Sequence, residues 1–104
     1  MCRDTIHQLC AKDALRWTNH ALVRLLQRGI SREDVSCALK NGDIIEEYPT
    51  DYPYPSCLVL GMGGGRHLHI VCGFGAGELW IITVYHPNPD EWLQDFRTRK
   101  GLGQ

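Results

Sequence analysis

Hydrophobic residues recur at helical spacing up to Gly42 and at strand spacing beyond it, so the chain predicts helices first and a sheet second. Ile6, Leu9 and Cys10 mark a helix over 4–12 that is too short to hold without docking. Thr18 is placed to cap a second helix over 18–28, with Leu22, Leu25 and Leu26 on one broad apolar face. Gly29 follows where a left-handed residue is wanted. Ser31 caps a third helix, with Asp34 three residues on as its partner in a capping box. Val35, Ala38 and Leu39 supply the buried stripe and Gly42 the stop. Two helices in such close succession imply a helical hairpin.

Strands are expected over 43–48, 57–62, 67–73 and 79–86. Gly63-Gly64-Gly65 and Gly75-Ala76-Gly77 stand where tight hairpin turns fall, so the strands form an antiparallel meander. Between the first two strands, Pro49, Pro53 and Pro55 interleave with Tyr48, Tyr52 and Tyr54. Proline cannot donate to a ladder, and this stretch reads as an extended, ordered loop. Asn88 caps a closing helix with Pro89 at its first position. Trp92, Leu93 and Phe96 would face inward, and Arg97, Arg99 and Lys100 would complement its C-terminal dipole. The sum is an α+β sandwich: N-terminal helices packed on a four-stranded antiparallel sheet with a C-terminal helix.

Composition narrows this further. At 104 residues there is room for one domain, 1–104, and no second. Eleven basic and twelve acidic residues leave a net charge of -1, which excludes a surface that is basic throughout. Any nucleic-acid site must therefore be local. The charge is nonetheless polarised: four arginines and no acid lie between Arg16 and Arg32, whereas Glu33 to Asp51 holds six acids and only Lys40. The longest apolar runs are strand-sized, far below the ~20 residues that span a bilayer, so no membrane association is expected. The opening residues lack the apolar stretch of a secretory signal, and a cytoplasmic address is expected. Cys2, Cys10, Cys37, Cys57 and Cys72 contain no Cys-x-x-Cys pair, which suits neither a disulfide framework nor a zinc ribbon.

On the second helix His20, Arg24 and Arg28 recur every four residues and form a cationic stripe. Guanidinium groups on one surface suit phosphate oxygens. The alternative is that they solvate an exposed face and pair with the acidic segment that follows. His67 and His69 share a strand face, with His86 ending the strand beside them. A metal site needs a third ligand that the spacing does not supply, so neither metal nor cofactor is expected. Acid/base chemistry suits His20 and His86, since histidine titrates near neutral pH. Gly61 to Arg66 is not a phosphate loop, for no Lys-Ser/Thr and no helix follow; its glycines read as turn residues. Cys57 is expected to be a buried structural thiol rather than a nucleophile paired with His69.

Three segments together resemble a known family. They are Thr18-Asn19-His20-Ala21 through Ser31; Gly42-Asp43-Ile44-Ile45 through Pro53-Tyr54-Pro55-Ser56-Cys57 to Gly61; and Leu68-His69-Ile70-Val71 with Ile81 through Pro89 to Trp92. The chain is similar over 14–99 to the domain of unknown function family 4258, small bacterial proteins resembling the RelE, BrnT and MqsR ribonuclease toxins. That resemblance implies a RelE-like fold and a metal-independent mRNA endonuclease, the toxin of a toxin-antitoxin pair, with RNA and a cognate antitoxin as partners. The expected catalytic residues are His20, Arg24, Arg28 and His86, with Tyr54, Arg66 and His69 binding substrate. The alternative is a non-catalytic protein-interaction module, whose anchors would be the tyrosine/proline loop and the three tryptophans.

Overall fold

The computed structural model describes residues 3–12 and 14–101. Helices α1 (Arg3–Ala11), α2 (Asn19–Arg28) and α3 (Arg32–Asn41) lie on one face of a sheet. The strands are β1 (Leu15–Trp17), β2 (Asp43–Tyr48), β3 (Ser56–Gly63), β4 (Arg66–Gly75) and β5 (Glu78–Tyr85), in the order β1-β5-β4-β3-β2. Cys2 lies outside the described residues.

The helix signals act through the groups that the sequence supplies. Thr18 accepts a hydrogen bond from the Ala21 N–H at 3.0 Å, and Gly29 ends α2 in the left-handed region at φ 65°. Ser31 and Asp34 close a reciprocal capping box at 3.0 and 3.1 Å. Ala21 and Leu25 of α2, Val35, Ala38 and Leu39 of α3, and Ile6 and Cys10 of α1 pack on Val59, Leu68, Ile70, Leu79, Ile81 and Val84. Leu26, expected on this face, is 85% exposed, because Ala21 and Leu25 already define the contact line and Leu26 turns away from it. The expected helical hairpin also gives way: α2 sits on β5, whereas α3 sits on β3 and β4 with α1 against it.

Close approach governs the α3–β3 contact. A Cβ at Gly61 would stand 2.1 Å from the Ala38 carbonyl oxygen, and one at Gly63 2.1 Å from that of Asp34. These glycines, expected to serve a turn, instead let a helix lie directly on a strand. The turn itself falls at Gly64 and Gly65, with φ 63° and 77°.

Two expectations are corrected. The sheet has five strands and is mixed, because β1 runs parallel to β5 with Leu15, Arg16 and Trp17 opposite Leu79, Trp80 and Ile81. Three residues are too few to display a period, and the pairing crosses more than sixty positions of sequence. The closing helix does not form. The Asn88 side chain accepts from the Asp90 N–H at 2.9 Å, and that of Asp95 accepts from the N–H groups of Arg97 and Thr98 at 2.9 and 3.1 Å. Such local side-chain bonds compete with helical ones. The segment folds back on itself instead, with Leu93 N–H bonded to Thr98 O, Lys100 N–H to Glu91 O, and an antiparallel bridge between Trp92 and Arg99. Trp92 is thereby buried, whereas Leu93 stays exposed.

Strand register assigns the face away from the helices. Leu60, His69 and Tyr85 form one row across it; Glu46, Leu58, Val71 and Thr83 a second; Tyr48, Ser56, Gly73, Trp80 and Arg16 a third.

Candidate functional site

The tyrosine/proline loop folds over the third of these rows. Phe74 N–H donates to Pro55 O at 3.2 Å, Asp51 N–H to Tyr48 O at 3.2 Å, and the Ser56 hydroxyl bonds the Asp51 carboxylate. A Cβ at Gly75 would fall 2.2 Å from the Tyr54 ring, so the bare backbone there is what lets the ring lie on β4. The loop and sheet enclose a cavity of about 340 Å³ lined by Thr18, Asp51, Tyr52, Pro53, Tyr54, Gly73, Trp80 and Ile82. The Tyr54 and Trp80 rings stand 6.3 Å apart, tilted by 30°. The Trp80 indole N–H is shielded from solvent without a hydrogen-bond partner among the described residues. Leaving such a donor unmet costs about 1–3 kcal/mol.

Thr18 on the cavity rim is also the N-cap of α2, and the stripe His20, Arg24 and Arg28 runs from there along the outside of the helix. Arg24 bonds Gln27 at 2.8 Å, and Arg28 donates to the Val84 carbonyl at the end of β5. The acidic segment finds its partners elsewhere. Asp43 pairs with Arg3 at 3.2 Å and Arg97 at 2.6 Å, and Glu46 takes a two-pronged bond from Arg99 at 2.8 and 3.0 Å. The C-terminal arginines, expected to serve a helix dipole, thus bind the edge strand β2. Among the described residues no ion pair joins the α2 stripe to an acid.

Around Glu46 the electrostatics are those of a clamp. The Arg99 hydrogen bond holds the Glu46 carboxyl below its ordinary range, as Arg97 does for Asp43. Burial, reinforced by the bond to Glu46, pushes the Tyr48 phenol up to about 12. Arg99 also lies 4.5 Å over the Trp92 ring. His69, expected to bind substrate, is fully buried behind this segment. Its Nε2 bonds Phe96 O at 2.7 Å and its ring meets that of Trp92 edge-on at 4.5 Å. Burial lowers its pKa, keeping the imidazole neutral.

Arg66, His67 and His86 meet at the other end of β4, around a hollow of about 250 Å³ with Gly65, Pro87 and Phe96. His86 Nδ1 bonds the His67 carbonyl at 3.2 Å, so its ring turns towards β4 rather than towards α2. The structure therefore brings Arg66 and His86 together, sets Tyr54 in the aromatic cavity near the start of the α2 stripe, and keeps His69 inside. Cys57 lies across from Cys72, sulfur to sulfur 3.7 Å, in the helix-side core and on the opposite face from His69. The hydrogen bond with Cys72 lowers the Cys57 pKa, while that bond and burial raise that of Cys72. Among the described residues, no three or more His, Cys, Asp or Glu side chains are grouped to hold a metal ion. None of their helices is long and apolar enough to cross a membrane.

Sequence reasoning missed Trp80, Asp51 and Thr18 as companions of Tyr54. The available signal was the loop's own composition, since tyrosines alternating with prolines order a loop against something flat.

Fold and site together define a small α+β domain with helices on one face of a mixed sheet and an aromatic cavity on the other. The chain belongs to the family described as Domain of unknown function (DUF4258), whose model matches residues 17–86, more than half of its length. No curated protein and no solved structure matches it.

Proposed function

We propose that the protein is a metal-independent RNA endonuclease of the RelE-like kind, the toxin half of a toxin-antitoxin pair acting in the cytoplasm. The observation that carries this reading is the α2 stripe, whose cations have no acidic partner among the described residues while Asp43 and Glu46 of β2 are taken up by Arg3, Arg97 and Arg99. A cationic ridge beginning at an aromatic cavity is the combination that holds single-stranded RNA, phosphates on the one and a base in the other.

Spacing along the helix supports one division of roles. His20 and Arg24 are four residues apart and so about 6 Å along the axis, close enough to serve one phosphate; His20 and Arg28 are about 12 Å apart. His20 takes the proton of the ribose 2′-hydroxyl as its oxygen attacks phosphorus, then returns a proton to the departing 5′-oxygen. The products are a 2′,3′-cyclic phosphate and a free 5′-hydroxyl. Arg24 stabilises the extra negative charge on the phosphorane, and Arg28 holds the next phosphate with donors not used on Val84. His86 and Arg66 bind the strand further along. The test is cleavage of a single-stranded RNA in the presence of a chelator, alongside growth inhibition on expression. Both are expected to disappear in His20→Ala/Arg24→Ala with the fold intact. Unaltered cleavage and toxicity in that variant refute the assignment.

A second reading is a non-catalytic interaction module that receives the partner protein. It is favoured by Leu26 at 85% and Val23 at 50% exposure, two apolar side chains on α2 that the fold leaves uncovered. A protein that binds its partner yet leaves RNA intact supports this one.

A further inference from the structure

We propose that the cavity under the tyrosine/proline loop is a base-recognition pocket that selects guanine. The inference rests on the RNA reading above and gives its substrate a preferred base.

The walls set the shape of the ligand. The Tyr54 and Trp80 ring centroids stand 6.3 Å apart, with their planes tilted by 30°. A ring stacked between two others needs about twice the 3.4 Å stacking rise of nucleic acid bases, or roughly 6.8 Å. With the two rings turned face to face, a parting of about half an ångström admits one flat heterocycle, and no aliphatic ligand gains as much from two π faces. Tyr52, 95% exposed at the loop tip, is free to close over it.

The polar groups set the identity. The Asp51 carboxylate lines the cavity and is steadied by the Ser56 hydroxyl, which occupies one of its several acceptor positions. Trp80, another of the lining residues, carries an indole N–H with no acceptor among the described residues. The preferred ring therefore offers N–H donors to a carboxylate and an acceptor to an indole. Guanine presents N1–H and the N2 amino group side by side, so that one carboxylate takes two bonds, and O6 and N7 lie on its other edges. Uracil offers a single N–H between two carbonyl oxygens that the carboxylate repels. Cytosine and adenine each bring only one amino group.

The test uses the full chain with guanosine, adenosine, cytidine and uridine 3′-monophosphates, followed by tryptophan fluorescence. Guanosine 3′-monophosphate is expected to quench saturably and to bind at least tenfold tighter than the pyrimidine nucleotides. Trp80→Phe removes the quench. Tyr54→Ala weakens all four nucleotides, by about 5- to 150-fold for a lost stacking partner. Asp51→Asn, which retains an acceptor for Ser56, abolishes the preference among bases without abolishing binding, whereas Ser56→Ala retains the preference. No saturable quenching by any nucleotide overturns the pocket, and equal affinity for all four overturns the selectivity. The readout is independent of cleavage. Guanine binding without RNA cleavage removes the nuclease reading and keeps the pocket; cleavage indifferent to Tyr54 and Asp51 does the reverse.

Discussion

Replacing His69 by leucine or by glutamine separates two contributions that meet at one buried ring. Phe96 O can only accept, so the 2.7 Å bond fixes the imidazole proton on Nε2. Leucine removes that donor. The net hydrogen bond is worth about 0.5–1.5 kcal/mol and the stranded carbonyl adds about 1–3. The edge-on contacts with Trp92 at 4.5 Å and Tyr85 at 5.3 Å add about 0.5–1.5 more. A loss of about 2–6 kcal/mol follows, against about 1–2 for glutamine, which keeps an N–H in reach of Phe96. The two also differ from the parent in pH dependence. Burial depresses the folded-state pKa of His69, so its contribution is fully present above the unfolded value of about 6.5. As pH falls below that value the unfolded chain takes up the proton first, and stability declines by up to about 1.4 kcal/mol per pH unit until the folded imidazole titrates too. Urea denaturation followed by tryptophan fluorescence, at steps between about pH 5.5 and 8, measures both effects. Both variants should lose this slope while leucine alone shows the larger drop. A leucine variant within about 0.5 kcal/mol of the parent at pH 8, or one that retains the parental slope, refutes the reasoning.

Gly61→Ala puts a methyl 2.1 Å from the Ala38 carbonyl oxygen, where the backbone of α3 has no slack, and is expected to cost about 3 kcal/mol or more in denaturant unfolding. Arg99→Ala breaks the bond to Glu46 and the contact over Trp92, and is expected to cost about 1 kcal/mol and to speed amide exchange at Leu93 and Lys100. Because Arg99 lowers the Glu46 pKa, that stabilisation is present above the ordinary carboxylate range and lost as pH falls through it, so the variant's acid limb should be flatter than the parent's. Leu26→Lys should leave the unfolding free energy nearly unchanged, within about 0.5 kcal/mol in urea denaturation, since the side chain is 85% exposed. A large loss would mean that this face is buried against something.

Several features could be read from the chain because their causes are local. The capping box of Ser31 and Asp34, the left-handed Gly29, the turn at Gly64 and Gly65 and the order of the strands from Asp43 onward each depend on residues within a few positions of one another. Capping bonds and steric limits on φ act at that range, and so they are written in the sequence itself. The cationic stripe is of the same kind, since residues four apart share a helix face wherever the helix is placed.

What only the tertiary structure decided was which surfaces meet. Leu15–Trp17 became a strand because β5 offered a free edge, not because three residues carry a period. The segment after Pro87 had a plausible helical pattern, yet Asn88 and Asp95 bonded their own neighbours and Trp92 found a buried place against His69. Whether the arginines of α2 would be spent on the acids of β2 was undetermined until Arg3, Arg97 and Arg99 arrived there from both ends of the chain. The cavity joins Thr18, Tyr54 and Trp80 from three distant stretches. Packing and ion pairing reward contact in space whatever the separation along the chain, and a linear pattern holds no record of which distant partners will compete for the same surface.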